Sequence, residues 1–103
     1  MKQYEKVIAL MIQGYPAKSW FYAKDFMADF LGELYVGYEA GSRLSELLKK
    51  YPNMLEVEKD GRFKRYRFRM ENRQNIIQSV PMELGTLIVK ELAKKKLLKV
   101  DVI

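Results

Sequence analysis

Segment 38–69 most constrains what this chain can fold into, because a helical pattern in it runs directly into a hairpin pattern. Leucines recur at the spacing of one helical face from Leu44 onwards, at positions 44, 47 and 48. Pro52 marks the end of this pattern, since the residue before a proline is pushed out of the helical region. The first half of the segment therefore predicts a helix over residues 38–50.

The second half of the segment alternates apolar and charged residues, which is the pattern of half-buried strands. Leu55 and Val57 alternate with glutamates, and Tyr66 and Phe68 alternate with arginines. Asp60-Gly61 lies between the two runs, and this pair is typical of a tight type I′ turn, whose two central residues both need positive φ. The sequence therefore predicts a β-hairpin that turns its arginines to one face.

Positive charge is concentrated in and just after this hairpin. The chain of 103 residues has a net charge of +6, and residues 59–73 hold seven of its 19 Lys and Arg with two carboxylates. An edge strand protected from aggregation by charge is the plain structural explanation, and a few lysines would satisfy it. The hairpin instead has five cations within residues 62–69, four of them arginine. This density of charge favours a polyanionic ligand.

The sequence before this segment predicts two helices and a short strand. Apolar spacing indicates a helix over residues 3–13. Three consecutive aromatic residues at 20–22 favour a short strand that pairs with the return strand of the hairpin, and a helix starting at Ser19 is the alternative. A helix over 24–31 follows. Carboxylates recur every four residues on and just beyond it, and such a stripe is more typical of a solvated face than of a metal site.

The sequence after the segment predicts a second helical region. Residues 71–79 have the composition of a linker or a short helix. A longer helix starts near Pro81, which is tolerated in a first helical turn, and ends near the lysines at 94–96. The last seven residues, 97–103, alternate weakly and predict a terminal strand.

Residue types that carry most enzyme chemistry are missing. The chain has no histidine and no cysteine, so it lacks the commonest general base, the commonest thiol nucleophile and the best transition-metal ligands. No glycine-rich phosphate loop is present either. We therefore expect a protein that is not an enzyme, with no catalytic residue, no metal site and no cofactor.

Sequence signals for membranes and secretion are also missing. No apolar run has the length of a signal peptide core or of a bilayer span. We expect a cytoplasmic protein without a membrane partner, and no small-molecule ligand is evident from the sequence.

Residues 37–47, followed by a hairpin that carries the run Asp60-Gly61-Arg62-Phe63, resemble the recognition helix and wing of winged helix-turn-helix DNA-binding domains from phage, plasmid and archaeal proteins. The resemblance covers about residues 3–70. It implies an α+β fold of the winged-helix kind, which is a three-helix bundle with a β-hairpin wing and a short first strand. A C-terminal helix follows this unit.

The same resemblance implies double-stranded DNA as the ligand, with Ser42 and Arg43 at base-reading positions. We accordingly divide the chain into a DNA-binding domain, residues 1–70, and a linker with a C-terminal helix, residues 71–103.

Candidate DNA-contacting residues follow from this placement. The N-terminal part of a recognition helix enters the major groove, and Arg43 is our first candidate there because a guanidinium bridges guanine O6 and N7. Glu39 and Glu46 favour an ordinary solvated helix unless they pair with Arg43 and Lys50 at i,i+4 spacing. The base-contact candidates are Tyr38, Ser42 and Arg43, and the backbone-contact candidates are Lys49, Lys50, Arg62, Lys64, Arg65, Arg67 and Arg69.

The C-terminal helix has an apolar row of Leu84, Ile88 and Leu92, and two interpretations of this row stay open. The row packs against the first helix of its own chain, or it pairs with the same row of a second chain. We favour the second interpretation, a homodimer, because two-fold dimers match palindromic DNA half-sites.

Three functional hypotheses remain. The first is a sequence-specific DNA-binding protein that acts as a transcriptional regulator, or as a replication or partition factor of a mobile element. The second is a protein-interaction module whose basic hairpin meets an acidic partner, since fold alone does not settle function. RNA binding is a third hypothesis, because Tyr and Phe interleave with Arg in the hairpin.

Overall fold

The computed structural model describes residues 1–98, except for the side chains of Asp29 and Phe30. Within these residues the chain is α+β, with four α-helices and one antiparallel hairpin of two strands. The helices are α1 (Gln3–Gly14), α2 (Ala40–Lys50), α3 (Arg73–Ser79) and α4 (Met82–Lys94), and the strands are β1 (Leu55–Asp60) and β2 (Phe63–Phe68). None of these helices has the length and apolar composition that a membrane crossing requires. Most of the predicted terminal strand, 97–103, lies outside the described residues.

Helix α1 lies at the centre of the core, which confirms the helix predicted over 3–13. Neighbouring elements cover different sides of this helix, namely α2, α4 and the hairpin. Five of its residues are therefore buried: Val7, Ile8, Ala9, Met11 and Ile12. The carboxylate of Glu5 accepts the backbone amide of Lys2 at 2.9 Å and so satisfies one of the amides left free at the start of the helix.

Helix α2 confirms the helix predicted over 38–50, although its first residues form a 3-10 turn. Residues Gly37–Glu39 form a 3-10 turn, and the α-helix proper starts at Ala40. Ala40, Leu44 and Leu47 are buried against the core. The opposite side of the helix is polar, so α2 is held in place by one apolar stripe.

The hairpin forms as predicted, but its turn lies one residue later. Asp60 and Phe63 are the last paired residues, so the two-residue loop is Gly61-Arg62. Gly61 has a φ of 63°, and a glycine at the first loop position is typical of a type II′ turn. The predicted type I′ turn centred on Asp60-Gly61 is therefore wrong.

A single residue of the predicted first strand pairs with the hairpin. Phe21 and Tyr66 exchange two backbone hydrogen bonds of 2.8 Å each, in an antiparallel bridge. The predicted pairing with the return strand is confirmed, although it extends over one residue and not over 20–22. The alternative helix from Ser19 does not form.

The helix predicted over 24–31 is wrong. Two 3-10 helices, Ala23–Phe26 and Asp29–Leu34, stand in its place. In an α-helix the carbonyl of Phe26 would accept a hydrogen bond from the amide four residues later. Here it accepts one from the amide of Val36, at 2.9 Å. Phe26 and Val36, which this bond joins, are both buried in the core.

The C-terminal part of the described chain belongs to the same core. Residues 71–79 are helical, as one of the two predictions had it, because Met70–Asn72 leads directly into α3. Leu84, Ile88 and Leu92 are 2%, 0% and 0% exposed and lie in one cluster with the buried residues of α1. The row packs within its own chain, because α1 covers it. Its assignment to a dimer interface is therefore corrected.

Polar contacts add to this packing where α1 and α4 end. The carboxylate of Glu91, 4% exposed, accepts the side-chain amide of Gln13 at 3.2 Å. The ammonium of Lys95 donates to the carbonyl of Gln13 at 2.9 Å. These contacts hold the two C-terminal ends side by side.

Replacing Ile88 with alanine tests the place of α4 in the core. The change leaves a cavity between α1 and α4, so we expect the free energy of unfolding to fall by about 2–5 kcal/mol, measured by urea denaturation. Lys90→Ala, an exposed position on the same helix, should change it by less than about 0.5 kcal/mol. An Ile88→Ala protein of unchanged stability that dissociates from a dimer to a monomer would restore the interface assignment.

Candidate functional site

The outer face of the hairpin carries two cross-strand ion pairs. The strand register places Glu56 opposite Arg67 and Glu58 opposite Arg65. The guanidinium of Arg67 donates to Glu56 at 2.5 Å, and that of Arg65 donates to Glu58 at 2.6 Å. Oppositely charged residues that face each other across a strand pair stabilise the sheet, so these contacts are part of the hairpin's own structure.

Trp20 covers these arginines from the side. Its ring centroid lies 4.5 Å from the guanidinium carbon of Arg65 and 5.3 Å from that of Arg67, which is the geometry of a cation–π contact. Arg69 completes the row, with its guanidinium 3.8 Å from the carboxylate of Glu71. The sequence analysis missed the role of Trp20, because no local pattern links it to residues 45 positions later.

Arg65, Arg67 and Arg69 therefore share a face, as predicted, but this face is not a free positive surface. The carboxylates of Glu56, Glu58 and Glu71 pair with them. Counting alternation along β1 as well as β2 would have revealed this, since both glutamates of β1 fall on the arginine face. These partners neutralise part of the arginines' charge, and the DNA-backbone contact expected of the three arginines stays a prediction.

The inner face of the hairpin tip has the opposite character. Lys59 and Lys64 lie directly opposite each other across the strands, and both are exposed. Arg62 projects from the turn beside them. Like charges in this position destabilise a strand pair, so stability does not account for the two lysines.

A groove of about 640 Å³ separates this inner face from α2. Gly41 and Ser45 of α2 line one side of it, and Arg62 and Lys64 line the other. Lys24, from the first 3-10 helix, lies at the same groove. Asp60 is the one carboxylate among the lining residues in the described part of the chain.

Helix α2 extends this positive surface. Ser42 and Lys49 follow Gly41 and Ser45 around the helix at about 100° per residue, so they lie on the side of α2 that faces the hairpin, and both are exposed. Tyr38, 92% exposed, precedes the helix in the 3-10 turn Gly37–Glu39. We call Lys24, Lys49, Lys59, Arg62 and Lys64 the inner cationic surface. None of the five forms an ion pair with a carboxylate among the described side chains.

Arg43 and Lys50 lie on the other side of α2. The guanidinium of Arg43 donates to Glu46 at 3.1 Å, and its side chain is half-buried beside Leu47 and Leu84. Among the described side chains Arg43 pairs with Glu46 and not with Glu39, which has the i,i+4 spacing. Arg43 thus lies away from the groove, whereas Ser42 and Tyr38 are exposed. Base contact by these three residues stays a prediction.

A hydrogen bond fixes the hairpin tip over the groove. The hydroxyl of Tyr22 donates to a carboxylate oxygen of Asp60, and Asp25 in turn accepts the backbone amide of Tyr22 at 2.7 Å. The bond to Asp60 raises the pKa of Tyr22 above its ordinary value, because the protonated phenol is the form that donates. The hairpin tip is thus tied to the loop that follows Phe21.

The titration of Tyr22 tests this tether. Its folded-state pKa is raised, so the contact stabilises the tip below the ordinary tyrosine pKa of about 10 and is lost as the pH rises through the folded value. We expect the Tyr22 side chain to titrate above the ordinary tyrosine pKa, measured by carbon-13 NMR of the ring. Asp60→Asn should return that resonance to the ordinary range, whereas late titration that persists in Asp60→Asn would contradict the tether.

Comparisons with known proteins do not identify a function. No protein-family model, no curated protein and no solved structure matches this chain. The case for a function therefore depends on the inner cationic surface and on the groove beside it.

Proposed function

We propose that the protein binds double-stranded DNA through the inner cationic surface. The observation that carries this proposal is the pair Lys59 and Lys64, which face each other without a carboxylate partner among the described residues. A phosphate backbone supplies the negative charge that would relieve their repulsion. The arginines of the outer face have carboxylates of their own and need no ligand.

The proposed fold is a winged helix in which α2 is the recognition helix and the hairpin is the wing. The 3-10 helices Ala23–Phe26 and Asp29–Leu34 take the place of the middle helix of the three-helix bundle. Three features support it: α2 leads into the hairpin within a few residues, a short segment at Phe21 bridges to β2, and α1 supports both from below. In this arrangement α3 and α4 are additions that extend the core.

Major-groove contact in this proposal comes from the side of α2 that faces the hairpin. Ser42 and Ser45 are short and exposed there, so the helix backbone approaches bases closely, and Lys49 lies one turn further along to meet a phosphate. Tyr38 stands at the leading end. Glu46 is paired with Arg43, which neutralises its carboxylate beside the proposed DNA surface.

Sequence-specific reading by these residues would make the protein a transcriptional regulator. Direct readout needs hydrogen bonds to base edges, which Ser42 and Tyr38 have the groups to make. Selection of bound duplexes from a random pool tests this part of the proposal, because an enriched motif requires base or shape readout. Binding without enrichment would leave a nonspecific architectural or accessory role.

Two charge-matched double variants test the DNA proposal. Lys59→Gln with Lys64→Gln removes two charges from the inner face, and Arg65→Gln with Arg67→Gln removes two from the outer face of the same hairpin. We expect the first to weaken duplex binding and to lower the slope of log K against log salt by about 1.8, since each lost phosphate contact removes about 0.9. The second should leave this slope unchanged, as measured by fluorescence anisotropy with a labelled duplex.

The outcomes separate the proposal from its competitors. An equal loss in both variants would mean that only net charge matters and that no defined face binds DNA. Loss confined to the arginine variant, with its fold intact by circular dichroism, would place DNA on the outer face. No binding of the unmodified protein at low salt would overturn the proposal and favour an acidic protein partner.

A further inference from the structure

The structure has a second concave site, on the side of α2 that faces away from the hairpin. It has a volume of about 320 Å³ and lies between α2 and the N-terminal ends of α1 and α4. This volume is at the lower end of the range for small-molecule sites in proteins. Neither the hairpin nor the inner cationic surface contributes to it.

The floor of this pocket is apolar and its walls are aromatic. Leu47 and Leu84 are buried and form the floor. Tyr4 and Tyr51, both half-buried, stand on either side. Within the described chain, neither phenol has a hydrogen-bond partner, so both hydroxyls are available to a ligand.

The rim of the pocket is cationic. Lys2, Arg43 and Lys50 line it with one carboxylate, Glu46. Lys2 lies 3.8 Å from Glu83, and Lys50 lies over the ring of Tyr51 at 5.7 Å. Positive charge therefore exceeds negative charge at the mouth of an apolar pocket.

Arg43 adds an unsatisfied donor. Its Nε is buried without a hydrogen-bond partner, while its Nη2 holds Glu46. Buried donors of this kind are rare and call for an explanation. The Nε of Arg65 is also without a partner, but there the ring of Trp20 covers the guanidinium. No aromatic ring among the described residues covers Arg43 in this way.

We propose that this pocket binds a small organic carboxylate with an aromatic or aliphatic body. The body lies on Leu47 and Leu84 between the two tyrosines. The carboxylate meets the ammonium of Lys50 and the guanidinium of Arg43, whose side chain is 30% exposed. The Nε of Arg43 gains an acceptor when this side chain turns towards the pocket. Binding here requires no DNA, and the sequence alone had indicated no small-molecule ligand.

The experiment uses 4-phenylbutanoate as the probe and 4-phenylbutanamide as its neutral counterpart. Binding to the full chain is measured by displacement of the fluorescent anion anilinonaphthalene sulfonate and by isothermal titration calorimetry. We expect the carboxylate to bind at one site per chain and to bind about tenfold or more tighter than the amide, because a charged group accepts from Arg43. Equal affinity for carboxylate and amide would overturn the charge recognition.

Variants at the rim locate the site. Arg43→Gln and Lys50→Gln should each lower the affinity for the carboxylate by about tenfold and leave the affinity for the amide unchanged. Lys50 is exposed, so its replacement does not threaten the fold. Lys90→Gln, the same charge change at an exposed position of α4, is the matched control. No binding of the carboxylate to the unmodified protein, or equal losses in Lys50→Gln and Lys90→Gln, would overturn the proposal.

Discussion

The register of the hairpin is the constraint on which most of this structure depends. The pair Asp60 and Phe63 closes the turn, and every later pairing follows from it. Because side chains alternate along a strand, a slip of one residue would turn Tyr66 and Phe68 out of the core. It would also break the bridge to Phe21 and separate Arg67 from Glu56. Packing and charge pairing thus select the same register.

This register sorts the hairpin's charges onto two faces. Paired charges, supported by Trp20, collect on the outer face, and Lys59 and Lys64 are left facing each other on the inner face. The strand pair bears an unfavourable repulsion at its tip, which the buried part of the hairpin offsets. An unfavourable contact that local stability does not explain is a guide to function. Here it directs attention to the groove beside α2.

Much of the fold was predictable from local patterns. The helices at 3–13 and 38–50 and the two strands of the hairpin follow from apolar spacing and alternation. The pairing with Phe21 was expected from the aromatic run at 20–22 in a winged-helix order, and the type of turn was predicted wrongly. The absence of an α-helix at 24–31 was not predictable, because it depends on a hydrogen bond from the amide of Val36, ten positions away, to the carbonyl of Phe26. For the site, the sequence correctly placed charge in the hairpin and missed which charges were paired, since this depends on the side from which Glu56 and Trp20 approach. The row Leu84, Ile88 and Leu92 could be assigned only once α1 was seen to cover it.

Nitrogen-15 NMR of the full chain, titrated with a short random-sequence duplex, tests the central claim most directly. It reports the DNA-facing surface residue by residue without altering any charge. The account predicts that the largest amide shifts fall in residues 41–49 and 59–64, while the indole N–H of Trp20 stays in place. Shifts centred on Trp20 and on the amides of Glu56 and Arg67, with the inner cationic surface unmoved, would contradict it.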